Sequence, residues 1–323
     1  MSLLYRGSVK DIHSAAPGTL EFRFSNRYSI FDWGEMPDAI PGKGEALARM
    51  GEAFFKKARA RGFQTHYVGE SPMPGAFRVK HIEVPRGRME VYQARPVDIL
   101  IPLEVIFRLG VPKGSSLLRR FPQFREGQRF EQAMIEFSTK LEPMDRMLSE
   151  DEALSLSGAS PSEWATLRAI ALELAQFLRS FCAERGLELW DGKFEFAYGA
   201  AVGQEAGGQA DRSIVLVDTV GIDELRLTLN GMTVSKEILR QFYQGSSWLQ
   251  ALNRAKAEDS VRFRERTRDH YRENPEPLEE DTLQSVSEMY RLVAELFEAE
   301  DPARIAVLRS GLEGVLKTLG GAA

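Results

Sequence analysis

The stretch WDGKFEF, residues 190–196, alternates aromatic and charged positions. On a strand, this alternation places Asp191, Lys193 and Glu195 on one face, while Trp190, Phe194 and Phe196 anchor the backbone from the other. A second strand-like run, Ser213 to Val217, ends on Asp218. Pairing the two runs as a hairpin would set Asp218 beside Glu195, giving two oxygen ligands for a hard cation such as Mg²⁺, which arrives with nucleotide phosphates. The competing reading is the polar outer face of an amphipathic hairpin, with Lys193 paired to its carboxylate neighbours. Further upstream, RLGVPKGSSLLRRF combines Gly114, Ser115 and Ser116 with Arg108, Arg119 and Arg120. Backbone amides, hydroxyls and planar cations are what a phosphate needs, although a solvated basic turn has the same composition. Lys10 in GSVKDIH and Lys43 in PGKG are of a type that reaches phosphate oxygens or is simply solvated.

Other chemistries lack their residues. The histidines at 13, 66, 81 and 270 show no H-E-x-x-H or other metal-ligand spacing, and there is no G-x-S-x-G, Walker A or G-x-G-x-x-G motif. ATP, if bound, is held without a Walker P-loop. The formal net charge of -5 argues against a nucleic-acid surface, so an anionic ligand must be held by local cations. The one cysteine, Cys182, lies in an apolar helical stretch; it excludes an internal disulfide and fits a buried thiol in a reducing cytoplasm. No run of about 18 apolar residues points to a membrane, and the N-terminal segment lacks the apolar region of a signal peptide.

The elements that must position these residues read as α+β. Thr19 to Phe24 and Phe77 to Ile82 are strand-like, and Gly44 to Arg61 has a helical pattern. Ile99 to Phe107 reads as one buried strand. The sharpest helix begins at Ser160: Pro161 suits the first turn, Glu163 completes a capping box, and Gly186 suits the stop. Its apolar stripe of Trp164, Leu167, Ala171, Leu174, Leu178 and Phe181 marks it as scaffold. Strands over Leu187 to Phe196 and Ser213 to Asp218 follow, joined by a Gly- and Ala-rich segment, Tyr198 to Gly208, expected to be a flexible loop. The charged stretch Arg262 to Asp281 leads to two amphipathic helices, carrying Leu283, Val286, Tyr290, Val293 and Leu296, then Ile305, Leu308, Leu312 and Val315.

The ordered set LYRGSVKDIH, FSNRYSIFD, IPGKG, GFQTHYV, IPLEVIFR, GSSLLRR, EFSTKLEPMDR, ELWDGKFEF and LVDTVGIDELRL resembles the SAICAR synthase family from about Leu4 to Tyr243. The resemblance implies a two-domain α+β fold with an ATP cleft between domains, here 1–98 and 99–323. It implies an ATP-dependent ligase joining L-aspartate to the carboxylate of the carboxyaminoimidazole ribonucleotide CAIR. ADP and phosphate are the other products, and the site requires Mg²⁺. Lys10 matches a position near the ATP phosphates, the backbone around Leu100 the segment meeting adenine, and Glu195 and Asp218 the metal-binding carboxylates. Arg108, Ser115 or Ser116, Asp223 and Arg226 match the ribonucleotide site. Lys140, Asp145, Asp191 and Lys193 match further active-site positions. Ser8, Asn26, Met144, Ala197 and Thr219 depart from the family pattern, which leaves a nucleotide-binding paralogue with another substrate or no turnover as the alternative. The resemblance implies no nucleic-acid or membrane partner and leaves homo-oligomerisation open.

Overall fold

The computed structural model describes residues 2–142, 145–202 and 210–322. In chain order the strands are β1 Leu3–Arg6, β2 Lys10–Ser14, β3 Thr19–Phe24, β4 Tyr67–Glu70, β5 Ala76–Lys80, β6 Ile99–Leu100 and β7 Leu103–Gly110. They continue with β8 Arg129–Thr139, β9 Met147–Leu148, β10 Glu188–Val202, β11 Asp211–Val217, β12 Leu225–Leu229 and β13 Met232–Thr233. The helices are α1 Lys43–Ala60, α2 Leu117–Arg120, α3 Glu150–Ser157, α4 Pro161–Ala183, α5 Glu237–Phe242, α6 Ser247–Glu258, α7 Phe263–Glu265, α8 Glu280–Glu298 and α9 Pro302–Ala322.

Contacts group the chain into two compact units, one of residues 1–53, 69–78 and 229–323, the other of 54–68 and 79–228. Neither is a continuous stretch. The first unit contains most of a five-stranded sheet in the order β1-β2-β3-β5-β4, with Phe22, Phe24 and Phe77 packed as a ring cluster. It also contains α8 and α9. Their buried stripes, Val286, Tyr290, Val293 and Leu296, then Leu308, Leu312, Leu316 and Leu319, repeat at the helical period.

The second unit is built on the long strand β10. One half pairs with β7 and β12, and the other with β6 and β11; β8 and β9 extend the β7 side. Gly192 makes this packing feasible, because a Cβ there would lie 2.6 Å from the Phe107 ring and 2.7 Å from Leu225. Helix α4 begins with the expected capping box of Ser160 and Glu163, and Pro161 occupies its first turn. Gly186, at φ 71°, takes the left-handed backbone that turns the chain into β10.

Two expectations are corrected. Ile99 to Phe107 forms two strands, because Pro102 has no N–H to donate and interrupts the ladder between β6 and β7. The Tyr198 to Gly208 segment begins as strand, since residues 198–202 continue β10 against β11. Residues 203–208 lie outside the described residues.

Candidate active site

Three adjacent strands bring charged and polar residues to one face. Strand β7 contributes Glu104 and Arg108, β8 contributes Glu136 and Ser138 and leads into Lys140, and β10 contributes Asp191, Lys193 and Glu195. The register stacks them. Glu104 faces Ser138, Ile106 faces both Glu136 and Lys193, and Asp191 faces both Arg108 and Arg226. The alternate positions of β7, Leu103, Val105, Phe107 and Leu109, are buried and apolar, and Phe107 stacks on Phe194 at 4.7 Å. A packed layer therefore fixes the backbone beneath a polar face.

On that face, Glu104 and Glu195 are both buried, and an isolated buried carboxylate would be costly. Two lysines relieve that cost. Lys140 Nζ lies 2.6 Å from Glu195 Oε1 and 3.4 Å from Glu104 Oε1. Lys193 Nζ donates to Glu104 Oε1 and lies 3.9 Å from Glu195. Ser138 Oγ donates to the other Glu104 oxygen at 3.2 Å. Burial opposes the charged form of Lys193, but the charges of Glu195 and Glu104 outweigh it and hold its pKa above the ordinary lysine range.

Next along the face, Arg108 and Arg226 each reach Asp191 Oδ2 at 3.4 Å. Arg108 also donates from Nε to Glu136, whose carboxylate takes Arg120 Nη1 at 2.5 Å and Nη2 at 3.0 Å. Burial alone would raise the Glu136 carboxyl; the hydrogen bonds from Arg120 and Arg108 overcome it and hold it below its usual range. The guanidinium of Arg108, with five N–H groups in a fixed fork, can serve these carboxylates and still present an edge to an anion. Ser115 is buried, and its hydroxyl accepts the Leu117 N–H at 3.3 Å. Ser116 is half-buried.

Asp218 follows Val217, the cross-strand partner of Glu195. Its backbone has φ 67°, a left-handed conformation that ends the strand and its alternation, and its carbonyl lies 3.1 Å from His66 Nε2. Asp223 and Glu224 are half-buried, and the Glu224 carbonyl accepts the Lys193 N–H. Leu100 joins Ala197, Val215 and Val217 in an apolar cluster bordered by Ile82 and Leu141. Asp145 is exposed.

The second unit thus brings together Lys140, Asp191, Lys193, Glu195, Arg108 and Arg226. Lys10 belongs to the first unit, where its ammonium lies 4.9 Å from the centre of the Phe22 ring. Lys43, read from sequence as a phosphate contact or a solvated lysine, is fully buried, with its ammonium 5.4 Å from the Tyr290 ring. Glu104 and Glu136 were not singled out from sequence. Their signal was parity: in IPLEVIFR and in EFSTK the two charges stand four residues apart, on one face of otherwise apolar or small strands.

Among the departures, Asn26 Oδ1 accepts the Gly44 N–H in the first turn of α1, an acceptor role a carboxylate would also fill. Ala197 is wholly buried in the Leu100 cluster, and Ser8 is exposed. The Thr219 hydroxyl is buried with no hydrogen-bond partner among the described residues. Met144 lies outside them.

The chain matches known proteins in sequence and in fold. The SAICAR synthetase family model matches residues 3–255. A chain of Archaeoglobus fulgidus, provisionally named phosphoribosylaminoimidazole-succinocarboxamide synthase, is 34% identical over 88% of this chain and 91% of its own length. The synthase of that name from Thermoplasma acidophilum is 31% identical over 91% of this chain and 98% of its own. Among solved structures, the SAICAR synthase of Saccharomyces cerevisiae complexed with SAICAR superposes with a TM-score of 0.65. It is 22% identical, and the match covers 93% of this chain and 96% of the yeast chain. A SAICAR synthetase in complex with ADP gives a TM-score of 0.58 at 24% identity, over 84% of this chain and 99% of its own. The α+β fold is that of these structures, and the chain belongs to the SAICAR synthetase family.

Proposed function

We propose that the polar face of β7, β8 and β10 is where this chain carries out the reaction of its family, the joining of L-aspartate to the carboxylate of CAIR in purine biosynthesis. The observation that carries the assignment is the convergence of Lys140 and Lys193 on two buried carboxylates, beside the arginine pair Arg108 and Arg226. A carboxylate is a poor electrophile. Its oxygen attacks the γ-phosphorus of ATP, ADP departs, and an acyl phosphate remains. The aspartate amine then attacks the acyl carbon, phosphate leaves, and the nitrogen loses a proton. Every participant is an anion, so the protein must supply positive charge and orientation rather than a nucleophile.

Lys140 and Lys193 stand beside the charge that develops on the transferring phosphoryl group and the acyl phosphate. Arg108 and Arg226, held by Asp191, face the ribonucleotide phosphate, and Ser116, half-buried, is more accessible to it than the buried Ser115. Asp223 borders this position. The Leu100 cluster offers a flat base an apolar surface. Lys10 is assigned to the ATP phosphates on motif order alone.

The donor set fits a hard cation. Glu195 and Asp218 present oxygen, and no group of three or more His, Cys, Asp or Glu among the described residues forms a protein-only metal cage. Magnesium characteristically takes one or two carboxylates and completes its shell with water and nucleotide phosphates. Glu195 and Asp218 would hold it, and the ion would neutralise phosphate charge as ATP is cleaved.

No helix among the described residues is long and apolar enough to cross a membrane. Burial pushes the Cys182 thiol up to about 12 despite nearby Arg185, so it stays protonated. Membership of a purine-biosynthesis family is the ground on which we assign the chain to the cytoplasm. The direct test is ADP release with CAIR, aspartate and Mg-ATP, each omitted in turn, with the product identified by mass. Turnover that needs all three and yields SAICAR supports the assignment. ATP binding without turnover would favour the binding-only paralogue.

A further inference from the structure

Glu104 is the residue on which the charge arithmetic of the site turns. Its buried carboxylate receives three donors from outside its own strand: Ser138 from β8, Lys140 just beyond β8, and Lys193 from β10. Glu195 draws on the same two lysines, Lys140 at 2.6 Å and Lys193 at 3.9 Å. Two ammonium groups are thus divided between two buried carboxylates, and an ammonium is a compact charge on a flexible stem that can change partners. A carboxylate fully neutralised by lysine is a poor metal ligand, because the lysine must first be displaced.

We propose that Glu104 is a positioning residue that holds Lys193 and provides a second partner for Lys140, so that Glu195 can exchange its lysine for a divalent cation. This rests on the reading of Glu195 as a metal ligand. Lys140 already lies 3.4 Å from Glu104, so leaving Glu195 requires a small swing rather than transfer to water. Ser138 fixes the far oxygen of Glu104 and keeps its near oxygen toward the lysines. Both lysines therefore remain at the reacting anions after the cation has arrived. Without the Glu104 charge, both would turn to Glu195 and compete with the metal.

The experiment is a titration of the full chain with Mn²⁺ in the presence of ADP, followed by loss of the free Mn²⁺ electron paramagnetic resonance signal. Glu195→Gln first tests the underlying reading; if it binds Mn²⁺ like the parent, Glu195 is not a ligand and that assignment fails. With Glu195→Gln weakened, Glu104→Gln is expected to weaken Mn²⁺ by about 10–100-fold, the range typical of residues behind a metal ligand. Adding Lys140→Met to Glu104→Gln is expected to restore most of the loss by removing the competitor. Parent-like affinity in Glu104→Gln, or no recovery in the double variant, overturns the proposal. If Glu104→Gln does not fold, Lys140→Met alone decides: tighter Mn²⁺ binding than in the parent supports the exchange, and unchanged binding overturns it.

Discussion

Two buried ion clusters in the second unit are made from the same kinds of residue and behave differently. In one, the fully buried Glu163 receives Arg212 Nε at 2.9 Å, Arg212 Nη2 at 3.0 Å, the Arg212 N–H at 2.8 Å, Arg95 Nη2 at 2.9 Å and the Ser160 N–H at 2.8 Å. Arg212 also donates to the carbonyls of Pro96 and Gly158 and lies over the Tyr198 ring. In the other, Glu104 and Glu195 are also buried, but their partners Lys140 and Lys193 are 26% and 33% exposed. Planar forks and backbone amides lock the first cluster into one geometry. Flexible point charges open to solvent leave the second able to rearrange. Burial of charge therefore does not identify a reactive site; exposed, shared partners do.

The largest expected effect breaks the locked cluster. Arg212→Met removes one partner of a buried pair and should cost about 3–5 kcal/mol of unfolding free energy, measured by urea denaturation. Glu195→Gln is the counterpart in the open cluster. It should lower turnover by on the order of 100-fold in the ADP-release assay while shifting unfolding by less than about 1 kcal/mol, since the solvent-reaching lysines retain Glu104. A destabilised Glu195→Gln and a robust Arg212→Met would reverse the comparison. A smaller effect comes from pH. Burial would raise the Glu163 carboxyl, yet the hydrogen bonds from Arg212 and Ser160 hold it at about 2, against an ordinary 4.5. A depressed carboxylate contributes stability that is complete above the unfolded value, so this share is lost as pH falls from about 4.5 toward 2. Glu163→Gln should start lower at neutral pH and lose less across that window in acid-unfolding curves; parallel curves would show that Glu163 is not the group responsible.

How much of this was legible depended on whether the determinant was local. The ends of α4 were readable because their determinants are local: Ser160, Pro161 and Glu163 act within its first turn, and Gly186 acts at its stop. The alternation of WDGKFEF correctly put Asp191, Lys193 and Glu195 on one face, and strand signals located β3, β10 and β11. Glu104 and Glu136 escaped because their meaning depends on register. Nothing in IPLEVIFR says that Glu104 will face Ser138, or that Lys193 will reach it from a strand more than eighty residues away. The split between β6 and β7 was legible in principle, since Pro102 stands in the run, but apolar continuity masked it. The second role of Glu163 was hidden for the same reason: its cap is local, whereas Arg212 and Arg95 are not.

That double role of Glu163 gives the smallest prediction and the finest test of the comparison. Ser160→Ala removes a hydroxyl that accepts the Glu163 N–H at 3.1 Å and donates to Asp211 Oδ1 at 2.8 Å. Losing an N-cap costs about 1 kcal/mol on its own. The Ser160 N–H, however, still holds the Glu163 carboxylate toward Arg212. If cap and ion cluster are one rigid network, the variant that has already lost Arg212 will respond differently to Ser160→Ala. A double-mutant cycle of Ser160→Ala with Arg212→Met should then depart from additivity by more than about 0.5 kcal/mol. Additivity within that margin would mean that the helix end and the arginines hold Glu163 independently. The rigidity ascribed to the locked cluster would then belong to its guanidinium forks alone.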